Sequence, residues 1–132
     1  MIKICICQDY SEILGARYRT DGKYSGEDFR ETILEPKFQQ ALQAGEKLTI
    51  DLDGGYGNPV SFLEEAFGGL ARKYSSDEVL KLLEFISEDE PSQIDRILDF
   101  IKHPSDNPVY IRALERLGKR KREQKRGGYT NE

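Results

Sequence analysis

Residues 48–74, LTIDLDGGYGNPVSFLEEAFGGLARKY, decide the reading of this chain. Leu48, Ile50 and Leu52 alternate with Thr49 and Asp51, the period of a strand with one apolar face. A glycine-rich turn follows. From Ser61 onward Leu63, Ala66, Phe67, Leu70, Ala71 and Tyr74 recur at three and four, the apolar stripe of a helix. Ser61 and Glu64 have the spacing of a capping box, in which each side chain satisfies a backbone donor of the other residue. Within the same helix Gly68 and Gly69 stand together, although a glycine inside a helix costs roughly 1 kcal/mol against alanine. Something therefore packs very close to that backbone. Tight helix-on-sheet packing is the first reading, and a partner's helix lying across an exposed groove is the second.

Outward from this segment the elements alternate. Ile2, Ile4 and Ile6 lie opposite Cys5 and Cys7, a pattern for a strand covered on both faces and placed centrally in a sheet. The two cysteines fall on one face of that strand, a poor geometry for a mutual disulfide, and are read as reduced core residues. Around Thr20-Asp21-Gly22 a tight hairpin and a plain loop both fit. Ser25 to Ala44 is helical in pattern, with Phe29, Ile33, Leu34, Phe38 and Leu42 on one face and Gly45 as the stop. Pro36 predicts a kink or two short helices there. Ser75 and Glu78 form a second capping box ahead of a short helix, and Leu82 to Ile86 read as another strand. Pro91 fits a first helical position before Ile94, Ile97, Leu98 and Ile101, and Asn107-Pro108 opens a last helix. The expected architecture is an α/β sandwich with a mostly parallel or mixed sheet of about four strands and helices packed on it.

The 132 residues suffice for one ordinary domain, and a composition of 37% hydrophobic and 33% charged residues is that of a soluble globular chain. No apolar run approaches the roughly 18 residues of a membrane span, and the first residues are too short and too polar for a secretory signal, so a cytoplasmic location is expected. One histidine and two cysteines are a poor ligand set for zinc, and no metal or cofactor is expected. The net charge of −4 hides an asymmetry: residues 119–126, KRKREQKR, carry +5, which leaves −9 on the rest.

Three pieces carry a family likeness: SGEDFRE at Ser25 to Glu31, IDLDG at Ile50 to Gly54, and SFLEEAFGGLAR at Ser61 to Arg72. They resemble the bacterial STAS-like proteins of uncharacterised function, distant relatives of the sulfate-transporter and anti-sigma-factor-antagonist domain. The likeness spans roughly residues 2–103, and the division of the chain that follows is a STAS-like domain over residues 1–105 with a C-terminal helix and basic tail over residues 106–132. The resemblance implies a regulatory protein-binding domain, not an enzyme. In the antagonist branch the first turn of the corresponding helix holds a serine phosphorylated by a histidine-kinase-like ATPase, and Ser61 is the nearest match. Asn58-Pro59-Val60 precedes this serine where an Asp-Ser type sequence is usual, and Phe62-Leu63 follows in place of small residues. Simple capping is the first reading of Ser61, and a phosphorylated switch the second. The expected docking surface is the start of this helix with the loop before it: Tyr56, Asn58, Val60, Phe62 and Glu65 around Ser61.

Two other classes of function find motifs here. Lys119, Arg120, Lys121, Arg122, Lys125 and Arg126 offer a nucleic-acid contact by counterion release, with a solvated charged end as the plainer account. Asp51 and Asp53 echo the DxD pair of magnesium-dependent phosphatases, but glycine follows DLDG where a hydroxyl residue would be needed. Gly54, Gly55 and Gly57 suggest an anion cradle without the lysine and hydroxyl of a phosphate loop, so a turn is the better account.

Overall fold

The strands are β1 (Ile2–Cys5), β2 (Leu48–Asp51) and β3 (Leu83–Ile86), in a computed structural model that describes residues 1–128, with side chains described through residue 118. They pair in parallel in the order β1-β2-β3, so a helical crossover joins each to the next and the class is α/β. In register, Ile2, Leu48 and Leu83 form one row and Ile4, Ile50 and Phe85 another, and both rows face the core. The intervening row of Lys3, Thr49 and Glu84 points the other way. On that face Lys3 Nζ lies 3.8 Å from Asp51.

Two expectations about the sheet are corrected. It has three strands among the described residues, not about four: Arg19–Asp21 is a single 3-10 turn within a loop, so the hairpin reading adds no strand. β1 is an edge strand, not a central one, and β2 takes the middle. After Cys5 the chain turns at once into the helical turn α1 (Ile6–Asp9), which removes Ile6 and Cys7 from the strand. That turn brings the sulfurs of Cys5 and Cys7 to 3.6 Å, and both residues are half-buried and not core members.

The first crossover is α2 (Gly26–Phe29), a π-helical turn over Arg30–Leu34, and α3 (Glu35–Ala44). Ser25 caps it, its hydroxyl accepting from the Asp28 amide at 3.0 Å. Pro36 neither breaks the run nor splits it in two. It sits in the first turn of α3, just after the widened π turn, where a missing N–H is tolerated. Gly45 closes α3 in the left-handed conformation at φ 66°.

The second crossover is α4 (Val60–Leu63), a π turn over Glu64–Gly68, α5 (Gly69–Tyr74) and α6 (Ser76–Leu82). α7 (Ser92–Lys102) and α8 (Pro108–Gly128) follow β3. Pro91 lies one position before α7, as its cap. Residues 60–74 form one continuous helical run, and every residue from 62 to 71 is buried. The amphipathic helix expected there is a central helix, enclosed on all sides. Its apolar side packs Phe62 and Phe67 against Phe29, with ring centroids 5.5 Å and 6.4 Å apart, and Phe67 also meets Phe85 at 5.3 Å. Each such phenylalanine contributes roughly 1.5–3 kcal/mol by burial. Among the described residues no helix is long and apolar enough to cross a membrane.

Candidate functional site

Parallel strands deliver their following loops to one edge of the sheet, the edge where open α/β sheets bind their ligands. Here the 52–58 loop is tied down from both sides. The Leu52 amide donates to the Ile86 carbonyl at 2.9 Å, and the Asn58 side-chain amide donates to the Leu52 carbonyl at 3.1 Å and to Gln93 at 2.9 Å. The Tyr56 amide donates to the Glu12 carbonyl at 3.0 Å, across from the loop that follows β1. The anchored backbone leaves the Tyr56 side chain 81% exposed, next to the loop where Ile13 is 65% exposed. A fixed loop with a free aromatic side chain loses little entropy when a partner covers it.

The helix beyond this loop starts differently from the sequence reading. Pro59, at φ −58° and ψ 143°, holds the cap position and no side chain caps the turn. Ser61 is therefore not the cap, because the Glu64 carboxylate that would complete the box is turned inward and held by arginines. Of the expected surface residues, Tyr56 and Val60 are exposed, while Asn58 and Ser61 are half-buried. Phe62 and Glu65 are corrected: Phe62 is 0% exposed in the aromatic cluster, and Glu65 is 7% exposed in a charged one. Neither presents a side chain to a partner.

That charged cluster occupies the other side of the central helix. Glu64 accepts from Arg17 and, at 2.7 Å, from Arg72. Glu65 pairs with Arg30, whose Nη1 also donates to the Glu65 carbonyl at 2.8 Å, and it accepts from Arg17 at 3.3 Å. Arg30 Nε donates to Glu35 at 3.0 Å, and Lys73 Nζ reaches the other oxygen of Glu35 at 2.6 Å. Burial works to raise the Glu64 pKa, but the hydrogen bonds and charges of Arg72 and Arg17 outweigh it and hold the carboxyl below its ordinary value. Burial likewise opposes the charge of Arg30, and Glu65 with Glu35 more than restores it. Among the described residues no buried side-chain polar atom lacks a partner.

The glycine pair belongs to this cluster and not to a helix-on-sheet contact. Both glycines have ordinary helical angles, so their value is space. A Cβ on Gly68 would collide with Glu64 Oε2 and stand 3.2 Å from Arg72 Nη1. One on Gly69 would collide with Arg30 Nη1 and stand 3.1 Å from Arg30 Cζ. Gly26 does the same for the neighbouring backbone, since a Cβ there would lie 2.6 Å from the Phe62 carbonyl oxygen. The stretches SGEDFRE and SFLEEAFGGLAR are thus two halves of one joint.

α8 docks on this joint. The Arg72 guanidinium stacks on the Tyr110 ring at 3.9 Å and donates to the Pro104 carbonyl, while Asn107 reaches Glu64 at 3.4 Å and caps α8 by accepting from the Tyr110 amide at 2.8 Å. Between α8, the loop at Arg17 and Tyr18, and Ser61 lies an open cavity of about 440 Å³. Arg112 and Arg116 line its α8 side.

The remaining motifs have structural partners. Asp53 accepts the amides of Glu88 and Asp89 at 2.9–3.0 Å, and Asp51 accepts the Asp53 amide at 3.0 Å, so the DxD pair clamps the ends of β2 and β3 together. The Gly54 amide donates to the Asp89 carboxylate at 3.2 Å, which makes this loop a poor cradle for an anion. The side chains of Lys119, Arg120, Lys121, Arg122, Lys125 and Arg126 lie outside the described residues. No signal in the sequence pointed to Arg17, Arg30 or Arg72, whose partners stand up to 48 positions away.

A family model described as a STAS-like domain of unknown function matches residues 25–93. The match takes in both halves of the charged joint and the anchored loop, and it stops before α8. No curated protein and no solved structure matches the chain significantly.

Proposed function

The chain belongs to the family of STAS-like domains of unknown function, and on that premise we propose that it is a regulatory protein-binding domain. The docking face is the anchored loop and helix start: Tyr56 as aromatic anchor, Val60 beside it, Asn58 fixing the loop, and Ser61 at the rim of the cavity. The observation that carries this reading is the exposure of Tyr56 and Ile13 on backbone held by cross-loop hydrogen bonds. Exposed aromatic side chains on preorganised backbone are the usual energetic centres of protein contacts. The partner class that the family likeness suggests is a histidine-kinase-like ATPase, with Ser61 as the residue whose phosphorylation ends or redirects binding. A phosphate on Ser61 would place about two negative charges beside Arg112 and Arg116.

Capture from the native host's lysate tests the proposal. Wild-type bait should recover a histidine-kinase-like ATPase, Tyr56→Ala should lose it, and Ser61→Asp should weaken it, with all three baits folded. Equal recovery by wild type and Tyr56→Ala would overturn the docking face. Incubation of the recovered ATPase with the chain and ATP, followed by phosphopeptide mapping, should place phosphate on Ser61, and phosphate elsewhere would remove the switch.

A further inference from the structure

Cys5 and Cys7 lie outside the family match and outside the proposed docking face. β1 ends at Cys5 and α1 begins at Ile6, so the chain bends between the two cysteines instead of running straight. Their sulfurs come to 3.6 Å, within hydrogen-bonding distance, and both residues are half-buried, so solvent reaches them. The Cys5 amide donates to the Asp9 carboxylate at 2.7 Å, which fixes the bend. Cys7 also supports its neighbour loop. Gly54, at φ 95°, approaches so closely that a Cβ there would lie 2.8 Å from Cys7 Sγ, and one on Gly55 would lie 3.7 Å from Cys7 Cβ.

We propose that Cys5 and Cys7 are an oxidisable pair that closes to an intrachain disulfide on reaction with a low-molecular-weight disulfide, and that closure loosens the 54–58 loop. In the first step the Cys5 thiolate attacks one sulfur of the oxidant, forming a mixed disulfide and releasing one thiol. In the second, Cys7 attacks the Cys5 sulfur, the mixed disulfide breaks, and a second thiol leaves. The two protons of Cys5 and Cys7 end on the two released thiols, and the oxidant is the species reduced. Burial first, then the Cys5 sulfur and the charges of Asp51 and Glu12, hold the Cys7 thiol above its ordinary pKa, which suits the resolving position. Closing the gap from 3.6 Å to the roughly 2 Å of a disulfide repositions sulfur at the place where Gly54 packs against Cys7 Sγ, and the altered contact is the route to the loop.

The full-length chain, reduced and desalted, should be treated with oxidised glutathione and digested with trypsin. The peptide covering residues 4–17 holds both cysteines, and it should appear lighter by two hydrogens, unreactive to iodoacetamide and free of glutathione. Accumulation of glutathione on the wild-type peptide, disulfide-linked dimers as the main product, or full alkylation after treatment would each overturn the proposal. Cys7→Ser should retain one glutathione on Cys5, and failure to trap it would remove the assigned order of attack. Hydrogen exchange at residues 54–58 should be roughly tenfold faster in the oxidised chain. Unchanged exchange would sever the link between the cysteine pair and the loop.

Discussion

The two sides of the central helix are both buried over residues 62–71 and differ in chemistry. On one side Phe62, Phe67 and Leu70 meet other apolar side chains, and the contact depends on volume far more than on direction. On the other, Glu64 and Glu65 meet Arg17, Arg30 and Arg72, each held in one geometry by hydrogen bonds. Glycine at positions 68 and 69 admits those guanidinium groups. The difference is one of tolerance. An apolar wall adjusts to a changed neighbour, whereas a buried charge that loses its partner has no alternative solvent.

The sharpest break in the comparison is Glu64→Ala, which leaves Arg17 and Arg72 without their shared carboxylate. A loss of about 4 kcal/mol is expected in urea unfolding, as for other buried pairs cut on one side. A loss below about 1 kcal/mol would mean that water or Glu65 replaces the missing carboxylate without cost. Acid makes the same cut reversibly. Since the folded pKa of Glu64 lies below the ordinary carboxyl value of 4.5, its contribution is fully present above that pH and disappears as pH falls through the lower folded value. Stability measured from neutral pH down through that window should fall in the wild type, and Glu64→Gln should flatten that fall.

Next in size is Gly69→Ala. An added methyl collides with Arg30, which is anchored to both Glu65 and Glu35, and a destabilisation of about 2 kcal/mol follows from overpacking. The helix propensity of alanine would give the opposite sign, so a raised melting temperature would show that Arg30 moves freely. On the apolar side Phe67→Met is expected to cost about 1 kcal/mol, because volume is nearly kept. A larger loss there than at Gly69 would reverse the contrast between the two sides. Smallest is Tyr56→Ala, expected within about 0.5 kcal/mol of wild type in the same unfolding experiment, since the ring touches solvent and the loop is held by backbone.

Much of the fold was legible along the chain. The alternation in Leu48, Ile50 and Leu52 marks a strand, the Ser75 cap is present with its hydroxyl accepting from the Glu78 amide at 3.3 Å, and Gly45 stops α3. The candidate site was legible only in its loop. Tyr56 and Val60 are at the surface, yet Phe62 and Glu65 are not, because periodicity tells which residues share a face and not how many faces are covered. Glu64 has the spacing of a capping residue, and Arg72, eight positions on along the same helical run, carries no spacing signal that assigns Glu64 to it instead. Arg17, the other partner of Glu64 in the fold, lies 47 positions away.

The sequence by itself determined much of the local structure: the strand that begins at Leu48, the helical stretches, the stop at Gly45, and that the class is α/β. Those choices depend on backbone angles and on the spacing of apolar residues over one or two turns. Only the tertiary structure decided that β1 is an edge strand, that the Ser61 helix is enclosed, that two glycines make room for arginines, and that two cysteines meet across a bend. All but the last are contacts between segments that chain distance does not relate, and the last depends on where β1 gives way to a helical turn. Charges in particular carry no pattern of their own, since a glutamate reads the same in solution as against an arginine until folding brings the arginine to it.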